Sequence, residues 1–187
     1  MAAPLHTAWF NGSFMPLAEV RISPLDRAFL FGDAVYEVIP VHAGQAFLLD
    51  PHLDRLERSL RELGIRNPCR RAEWIDIING LIEQNGGGNL AVYLQVSRGA
   101  DIKRDHAFPP ESVRPTVFGM VSTMAEPHPD QLGLRAITCA DQRWSRCDIK
   151  STALLANLLA RQAARDAGAG EAILLRDGYL TEGSASS

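Results

Sequence analysis

Ala34-Val35-Tyr36-Glu37-Val38-Ile39-Pro40-Val41, followed after a short gap by Asp50-Pro51-His52-Leu53-Asp54-Arg55-Leu56-Glu57-Arg58-Ser59-Leu60-Arg61-Glu62-Leu63-Gly64, switches its apolar period from that of a strand to that of a helix. In the first segment, alternation puts Tyr36 and Val38 on one face and Val35, Glu37 and Ile39 on the other. In the second, Leu53, Leu56, Leu60 and Leu63 form one stripe, Asp50 is expected as N-cap, Pro51 as the first helical residue and Gly64 as the stop. Sheet and helix in one short stretch predict a mixed α/β (α+β) chain.

Working outward, Thr7–Phe10 and Ser13–Met15 flank Asn11-Gly12, a strong hairpin signal. Downstream, Trp74, Ile77, Ile78, Leu81 and Ile82 predict a helix over 72–84, ended by Asn85-Gly86-Gly87-Gly88. Strands are expected at 90–97 and 116–123, joined by a polar segment, 98–114, too long for an idle turn. The Pro-rich stretch from Ala125 to Asp130 reads as a linker, so we expect a small N-terminal α/β domain over 1–123, a linker over 124–133 and a second domain over 134–187. The latter is read as a strand at 134–140, a helix at 152–167, a strand at 171–175, an Asp177-Gly178 turn and a strand at 179–181.

Composition narrows the partners. The 187 residues are 46% hydrophobic and 22% charged, with a net charge of -3 and no basic stripe, which disfavours nucleic acid. Mean hydropathy is -0.07, and no apolar run approaches the ~20 residues of a membrane span, so a cytoplasmic protein acting on small molecules is expected. Cys69, Cys139 and Cys147 are odd in number and lack a C-x-x-C pair, so we expect buried, reduced thiols and neither a disulfide framework nor a metal site.

Of 19 basic residues only Lys103 and Lys150 are lysines. A lysine surviving such a bias is a candidate for amine chemistry that arginine cannot perform. Lys150 stands just before the expected helix, whose positive end would favour the neutral amine, although a surface lysine is the plainer reading and Asp148 opposes the shift. Glu182 precedes a Gly183-Ser184-Ala185-Ser186 turn whose N–H groups and hydroxyls suit an anion, while the carboxylate suits a ring cation such as the pyridine nitrogen of pyridoxal phosphate. Along its helix Arg55 finds no acidic partner at i±3 or i±4 and is left for another anion, whereas Arg58 is expected to pair with Asp54 and Glu62, and Arg61 with Glu57. Arg104 and His106, two apart, face the same way on an extended backbone and suit a carboxylate; Tyr36 is read as core packing with a hydrogen-bonded hydroxyl.

In order, Asp26-Arg27 with Phe31-Gly32-Asp33-Ala34-Val35-Tyr36-Glu37-Val38, then His52-Leu53-Asp54-Arg55-Leu56, Arg143-Trp144, Cys147-Asp148-Ile149-Lys150-Ser151 and Thr181-Glu182-Gly183-Ser184 resemble the D-amino acid transaminases of the fold type IV pyridoxal phosphate enzymes. The likeness runs from about Trp9 to the last residue. It implies a two-domain fold type IV enzyme using pyridoxal 5'-phosphate. Lys150 would form the Schiff base and move the proton, Glu182 would partner the pyridine nitrogen, and Arg55 and Ser184 would join the cofactor site. It also implies that Tyr36, Arg104 and His106 trap the substrate carboxylate, the loop pair reaching in from the other subunit of a homodimer. The implied reaction passes the amino group of a D-amino acid, D-alanine in type, to a 2-oxo acid such as 2-oxoglutarate, giving pyruvate and D-glutamate. Branched-chain aminotransferases and aminodeoxychorismate lyases share the lysine and glutamate and are the competing reading; a non-catalytic remnant is the third. Family members continue beyond the Glu-Gly-Ser turn, so the second domain is expected to be incomplete in this chain, with little or no activity alone. Asp105, between Arg104 and His106, departs from a purely cationic trap and either points away or weakens it.

Overall fold

The computed structural model describes residues 4–124 and 133–186. The chain divides into two compact units, Met1–Glu126 with Asp148–Ala153, and Pro127–Cys147 with Leu154–Ser187. Residues 125–132 of the expected linker lie outside the described residues.

The first unit is built on an antiparallel six-stranded sheet in the order β2-β1-β6-β5-β3-β4. β1 (Thr7–Phe10) and β2 (Ser13–Pro16) form the expected hairpin, and Asn11 (φ 45°) and Gly12 (φ 105°) take the positive φ values of its two-residue turn. β3 (Ala34–His42) pairs with β5 (Leu90–Ser97) from Ala34↔Ser97 to Val41↔Leu90, and β5 pairs along its whole length with β6 (Thr116–Thr123). β4 (Gln45–Ala46) is a short edge strand on β3.

On one face lie α2 (Leu49–Leu63), which buries Leu53, Leu56, Ser59 and Leu60, and α3 (Arg71–Gln84), which buries all five expected apolar residues. These join Val35, Ile39, Val41, Val92 and Leu94 in one core. Fully burying a Leu or Ile side chain contributes about 1.5–3 kcal/mol, so this core holds the sheet and its helices together.

Two local expectations are corrected here, and one short element is added. α2 starts at Leu49, after Leu48 in the left-handed region (φ 49°) and without a side-chain cap. Asp50 lies inside the first turn, where its carboxylate accepts from Arg71 Nη2 at 2.7 Å, and Pro51 is tolerated because first-turn N–H groups have no helical partner. Asp54 also serves Arg71, at 2.8 Å, and Arg58 turns instead to the Asp148 carbonyl at 2.7 Å, so tertiary partners displace the pairs expected along the helix. A five-residue helix, α1 (Arg27–Phe31), was too short for a periodic signal; Asp26 caps it by accepting from Ala28 N at 2.9 Å, and Gly32 (φ 68°) ends it.

The second unit carries a three-stranded sheet, β7 (Ala136–Ala140), β8 (Glu171–Arg176) and β9 (Tyr179–Gly183), with β7 and β8 parallel and β8 and β9 antiparallel. Its helix α4 (Leu155–Asp166) begins three residues later than expected, and β9 runs through Glu182, which is therefore a strand residue. Leu155, Leu158 and Leu159 on α4 are exposed, as are Tyr179 and Leu180 on β9. All three cysteines are free, but none is fully buried and Cys147 is exposed, correcting the expectation of buried thiols. Among the described residues no helix is long and apolar enough to cross a membrane.

Candidate active site

Residues 149–151 extend the free edge of β3 near its start. The Tyr36 N–H donates to the Lys150 carbonyl at 2.9 Å, Val35 bridges to Ser151, and the Lys150 N–H donates to Ser59 Oγ on α2 at 3.3 Å. The backbone of Lys150 is thereby fixed on a rigid sheet. Its Nζ lies 4.4 Å from the centroid of the Tyr36 ring and forms no ion pair among the described residues. Lys103, by contrast, pairs with Asp105 at 2.9 Å on the surface. Because α4 starts only at Leu155, Lys150 does not directly precede a helical first turn, and its placement comes from the strand.

Tyr36 lies on the face of β3 opposite the helices, as the alternation requires, and stacks on Tyr93 of β5 at 5.7 Å; it stands outside the apolar core, which corrects its reading as core packing. The Tyr93 hydroxyl donates to Gln95 Oε1 at 2.6 Å, and burial pushes its pKa up to about 12.

Glu37, on the core face, is fully buried and accepts from Arg55 Nε at 2.6 Å and Nη2 at 2.7 Å, with His52 Nδ1 at 2.8 Å. This corrects the reading of Arg55 as free for another anion, because its partner comes from a neighbouring strand. The Glu37 bonds raise the guanidinium pKa further, against the effect of burial. With its side chain 42% exposed, Arg55 turns one edge to Glu37 and keeps Nη1 outside that bidentate pair. Glu37 is the functional residue sequence reasoning passed over. The signal was a carboxylate alternating with Val35 and Ile39 on a buried face, a placement that requires a cation.

Arg104 and His106 do share one side. The guanidinium carbon of Arg104 sits 5.0 Å from the Phe31 ring centroid, and the His106 ring lies 5.3 Å from the same ring. Neither hydrogen-bonds to Tyr36 among the described residues. The Asp105 carboxylate accepts from Lys103 Nζ and from Ala107 N at 3.1 Å, so its charge is neutralised locally, chiefly by Lys103, which also lowers its pKa.

In the second unit, Glu182 Oε2 accepts from Arg143 Nη1, while Arg143 also binds the Asp141 carboxylate through Nε and Nη2, both at 3.0 Å. Arg143 holds Asp141 far below the usual carboxylate range, with Thr181 Oγ1 adding a bond at 2.8 Å. Glu182 Oε1 accepts no hydrogen bond among the described residues.

The turn expected to expose hydroxyls is corrected. Ser184 is buried, its Oγ donates to Glu171 Oε1 and its N–H to the Ala172 carbonyl at 2.9 Å, while Ser186 Oγ reaches Glu171 Oε2 at 2.7 Å. The anion held by this turn is the chain's own carboxylate. Burial raises the Glu171 pKa, but the serine and backbone bonds outweigh it and bring it down to about 2.

Pyridoxal phosphate calls for an uncommitted amine, a cation for its phosphate and a carboxylate for its ring nitrogen. Lys150, Arg55 through Nη1 and Glu182 through Oε1 have that chemistry, so the residues present fit the group. The Ser184 hydroxyl fits only by exchanging its Glu171 partner.

Residues 34–187 match the sequence profile of amino-transferase class IV. The D-alanine aminotransferase of Bacillus licheniformis is 41% identical over 178 residues, covering 95% of this chain and 62% of that protein. The D-alanine aminotransferase of Staphylococcus epidermidis is 36% identical over 179 residues, covering 95% of this chain and 63% of that protein. A solved branched-chain amino acid aminotransferase from T.th., complexed with N-(5'-phosphopyridoxyl)-L-glutamate, matches with a TM-score of 0.86 at 26% identity, covering 96% of this chain and 62% of that one. The chain thus spans less than two thirds of the length of these relatives. With the fold of the type IV aminotransferases and a profile match over most of its length, the chain belongs to the class IV amino-transferase family.

Proposed function

We propose that the protein transfers the amino group of a D-amino acid, D-alanine in type, to a 2-oxo acid such as 2-oxoglutarate, using pyridoxal 5'-phosphate. The observation that carries this reading is Lys150, one of two lysines in an arginine-rich chain. Its backbone is pinned to β3, and its amine lies 4.4 Å from the Tyr36 ring with no acidic partner among the described residues. The curated relatives named D-alanine aminotransferase, at 36% and 41% identity, support the choice of substrate class.

Lys150 would hold the cofactor at its carbonyl carbon, Arg55 Nη1 would face its phosphate, and Glu182 would face its ring nitrogen, with Ser184 supporting that turn. When bound, the cofactor supplies an electron sink for the negative charge left on the substrate Cα. Lys150 Nζ, once the substrate amine has taken its place on the cofactor, would accept the Cα proton and deliver it to the carbon that Lys150 had held, so that the proton moves from substrate to cofactor. Glu37 keeps Arg55 directed by a bidentate pair, and Arg143 does the same for Glu182. The Tyr36 hydroxyl, with Arg104 and His106 contributed by a second copy of the chain, binds the substrate carboxylate and so orients the Cα–H bond toward Lys150. Three free thiols suit a reducing compartment, the cytoplasm.

A visible spectrum of the longest available chain with pyridoxal phosphate tests the reading. We expect a cofactor band that Lys150→Ala abolishes and that D-alanine, not L-alanine, converts to the pyridoxamine form. The branched-chain structural neighbour favours a second reading, a branched-chain aminotransferase, which conversion by L-leucine alone would establish. Equal spectra for the wild-type and Lys150→Ala proteins would refute both.

A further inference from the structure

Arg104 and His106 lie in an 18-residue connection, Arg98 to Pro115, that contains no helix or strand. A connection of that length has no intrinsic reason to hold two side chains still. A cluster beneath it supplies one. Arg27, on α1 and only 4% exposed, donates from Nη1 to the carbonyls of Asp105 at 2.7 Å and Ala107 at 3.2 Å, and its Nη2 lies 3.5 Å from the His106 carbonyl. Its Nε donates to Asp33 Oδ2 at 2.7 Å.

Asp33 is shared. Arg98 binds it through Nε at 2.8 Å and Nη2 at 3.0 Å, and also donates to the carbonyls of Leu63 at 2.7 Å and Gly64 at 2.9 Å at the end of α2. The Arg98 guanidinium further stacks on Phe108 at 3.7 Å. Burial pushes the Asp33 carboxyl up, but the two arginines outweigh it and hold it below its ordinary value. A carboxylate between two buried guanidiniums locks both, so the donors reaching 105–107 are set by the sheet and helices, not by the loop. Arg27 also lies 4.8 Å from the Phe31 ring, the surface on which Arg104 and His106 rest.

We propose that Arg27, aimed by Asp33 and seconded by Arg98, is a positioning residue that clamps the backbone of 105–107 and thereby sets where Arg104 and His106 meet a substrate carboxylate. This rests on the reading of that pair as a carboxylate site. A misplacement of about 1 Å at such a site costs roughly 100-fold. Lysine at position 27 would keep the charge opposite Asp33 but cannot reach Asp33 and two carbonyls at once.

The test uses Arg27→Lys, Arg27→Gln, Arg104→Ala and the Arg27→Lys/Arg104→Ala double variant in the cofactor-loaded protein. Hydrogen exchange is read at 103–108 and at β5, and KM and kcat are measured for the amino-acid substrate. We expect exchange at 103–108 to quicken at least ~10-fold in Arg27→Lys with β5 unchanged. KM should rise about 10- to 100-fold with kcat falling much less. The double variant should lose less than the sum of the two single losses, because Arg27 acts partly through Arg104 and, with Arg104 gone, only through His106. Unchanged exchange at 103–108 in both Arg27 variants, or additive effects on KM, would overturn the clamp. If Arg104→Ala leaves KM unchanged, the carboxylate reading falls, while the exchange result still decides whether the clamp exists. Should Arg27→Gln prove unfolded, Arg27→Lys with intact β5 protection carries the decision.

Discussion

Replacing Arg55 by Gln should destabilise the first unit more than replacing Glu37 by Gln, although Arg55 is the more exposed partner. The Glu37 side chain has no solvent exposure, whereas that of Arg55 is 42% exposed. Without Arg55, Glu37 retains only His52 at 2.8 Å, and removing one partner from a buried pair costs about 3–5 kcal/mol. The surviving histidine contact offsets part of this, leaving a loss of about 2–4 kcal/mol. In Glu37→Gln the amide keeps the side-chain shape and one acceptor, and the released guanidinium reaches water. Its loss is that of charge-assisted bonding reduced by solvent screening, about 1–2 kcal/mol.

Both variants delete the same contact, so the double variant should cost less than the sum by about 1–2 kcal/mol. A single melting temperature is poorly defined for a chain with two units, so the assay is native-state hydrogen exchange of peptides from β3 and β5, which report the first unit alone. At 1.4 kcal/mol per tenfold, Arg55→Gln should accelerate their exchange roughly 30- to 700-fold. Equal costs for the two single variants, or strict additivity in the double, would refute the claim that Arg55 neutralises a buried Glu37.

Gly99 has φ +101°, and a Cβ there would lie 2.1 Å from the Arg114 carbonyl oxygen, whereas Gly12 has nearly the same φ, +105°, and open space. Gly12→Ala should therefore cost only the backbone term, about 1–2 kcal/mol, and Gly99→Ala clearly more, as denaturation of the two variants will show; equal losses would remove the steric argument. Glu171, at about 2 in the folded chain against an ordinary 4.5, binds fewer protons folded than unfolded, so its contribution is complete above pH ~4.5 and is lost as pH falls toward 2. Exchange of β8 amides across that window should quicken, and Ser186→Ala, which raises the folded-state value and leaves the unfolded one, should shrink this acid-dependent change and complete it at a higher pH; an unchanged profile would contradict the assignment. Alkylation read by mass spectrometry should modify exposed Cys147 first and Cys69 slowly, because Cys69 is half-buried and burial pushes its thiol up; preferential labelling of Cys69 would count against the described burial.

The elements legible in the sequence were those with a long repeat of one period. The strands at 90–97 and 116–123 begin and end where alternation does, and the helix at 71–84 buries the five residues its stripe named. The errors cluster at boundaries. Asp50 has the chemistry of an N-cap, but its carboxylate serves Arg71 from the next helix, an alternative partner that no local rule weighs. The helix at α4 begins late because residues 149–152 bind to the edge of β3, and strand pairing outcompetes the helical preference of the leucines that follow.

The site was legible to the extent that its demands are local. Two lysines among 19 basic residues narrowed the amine candidates to Lys103 and Lys150, and the role proposed for Lys150 comes from the motif around it. The alternation that set Glu37 between Val35 and Ile39 already contained the Arg55 pair, because a carboxylate facing the core must take a cation from whichever helix covers it. His52 and Arg55 flank the buried stripe of Leu53 and Leu56 at i,i+3, so the covering helix offers both donors together. The acidic partner of Arg55 is thus absent along its own helix and present across on the strand. Arg27 is a different matter. Its acceptors are the backbone carbonyls of 105–107, which every residue type possesses, so no choice of side chains in the loop records the contact. Side-chain pairs leave two traces in a sequence and side-chain-to-backbone clamps leave one, and that is why the cations that position a loop escape a reading that finds the cations it presents.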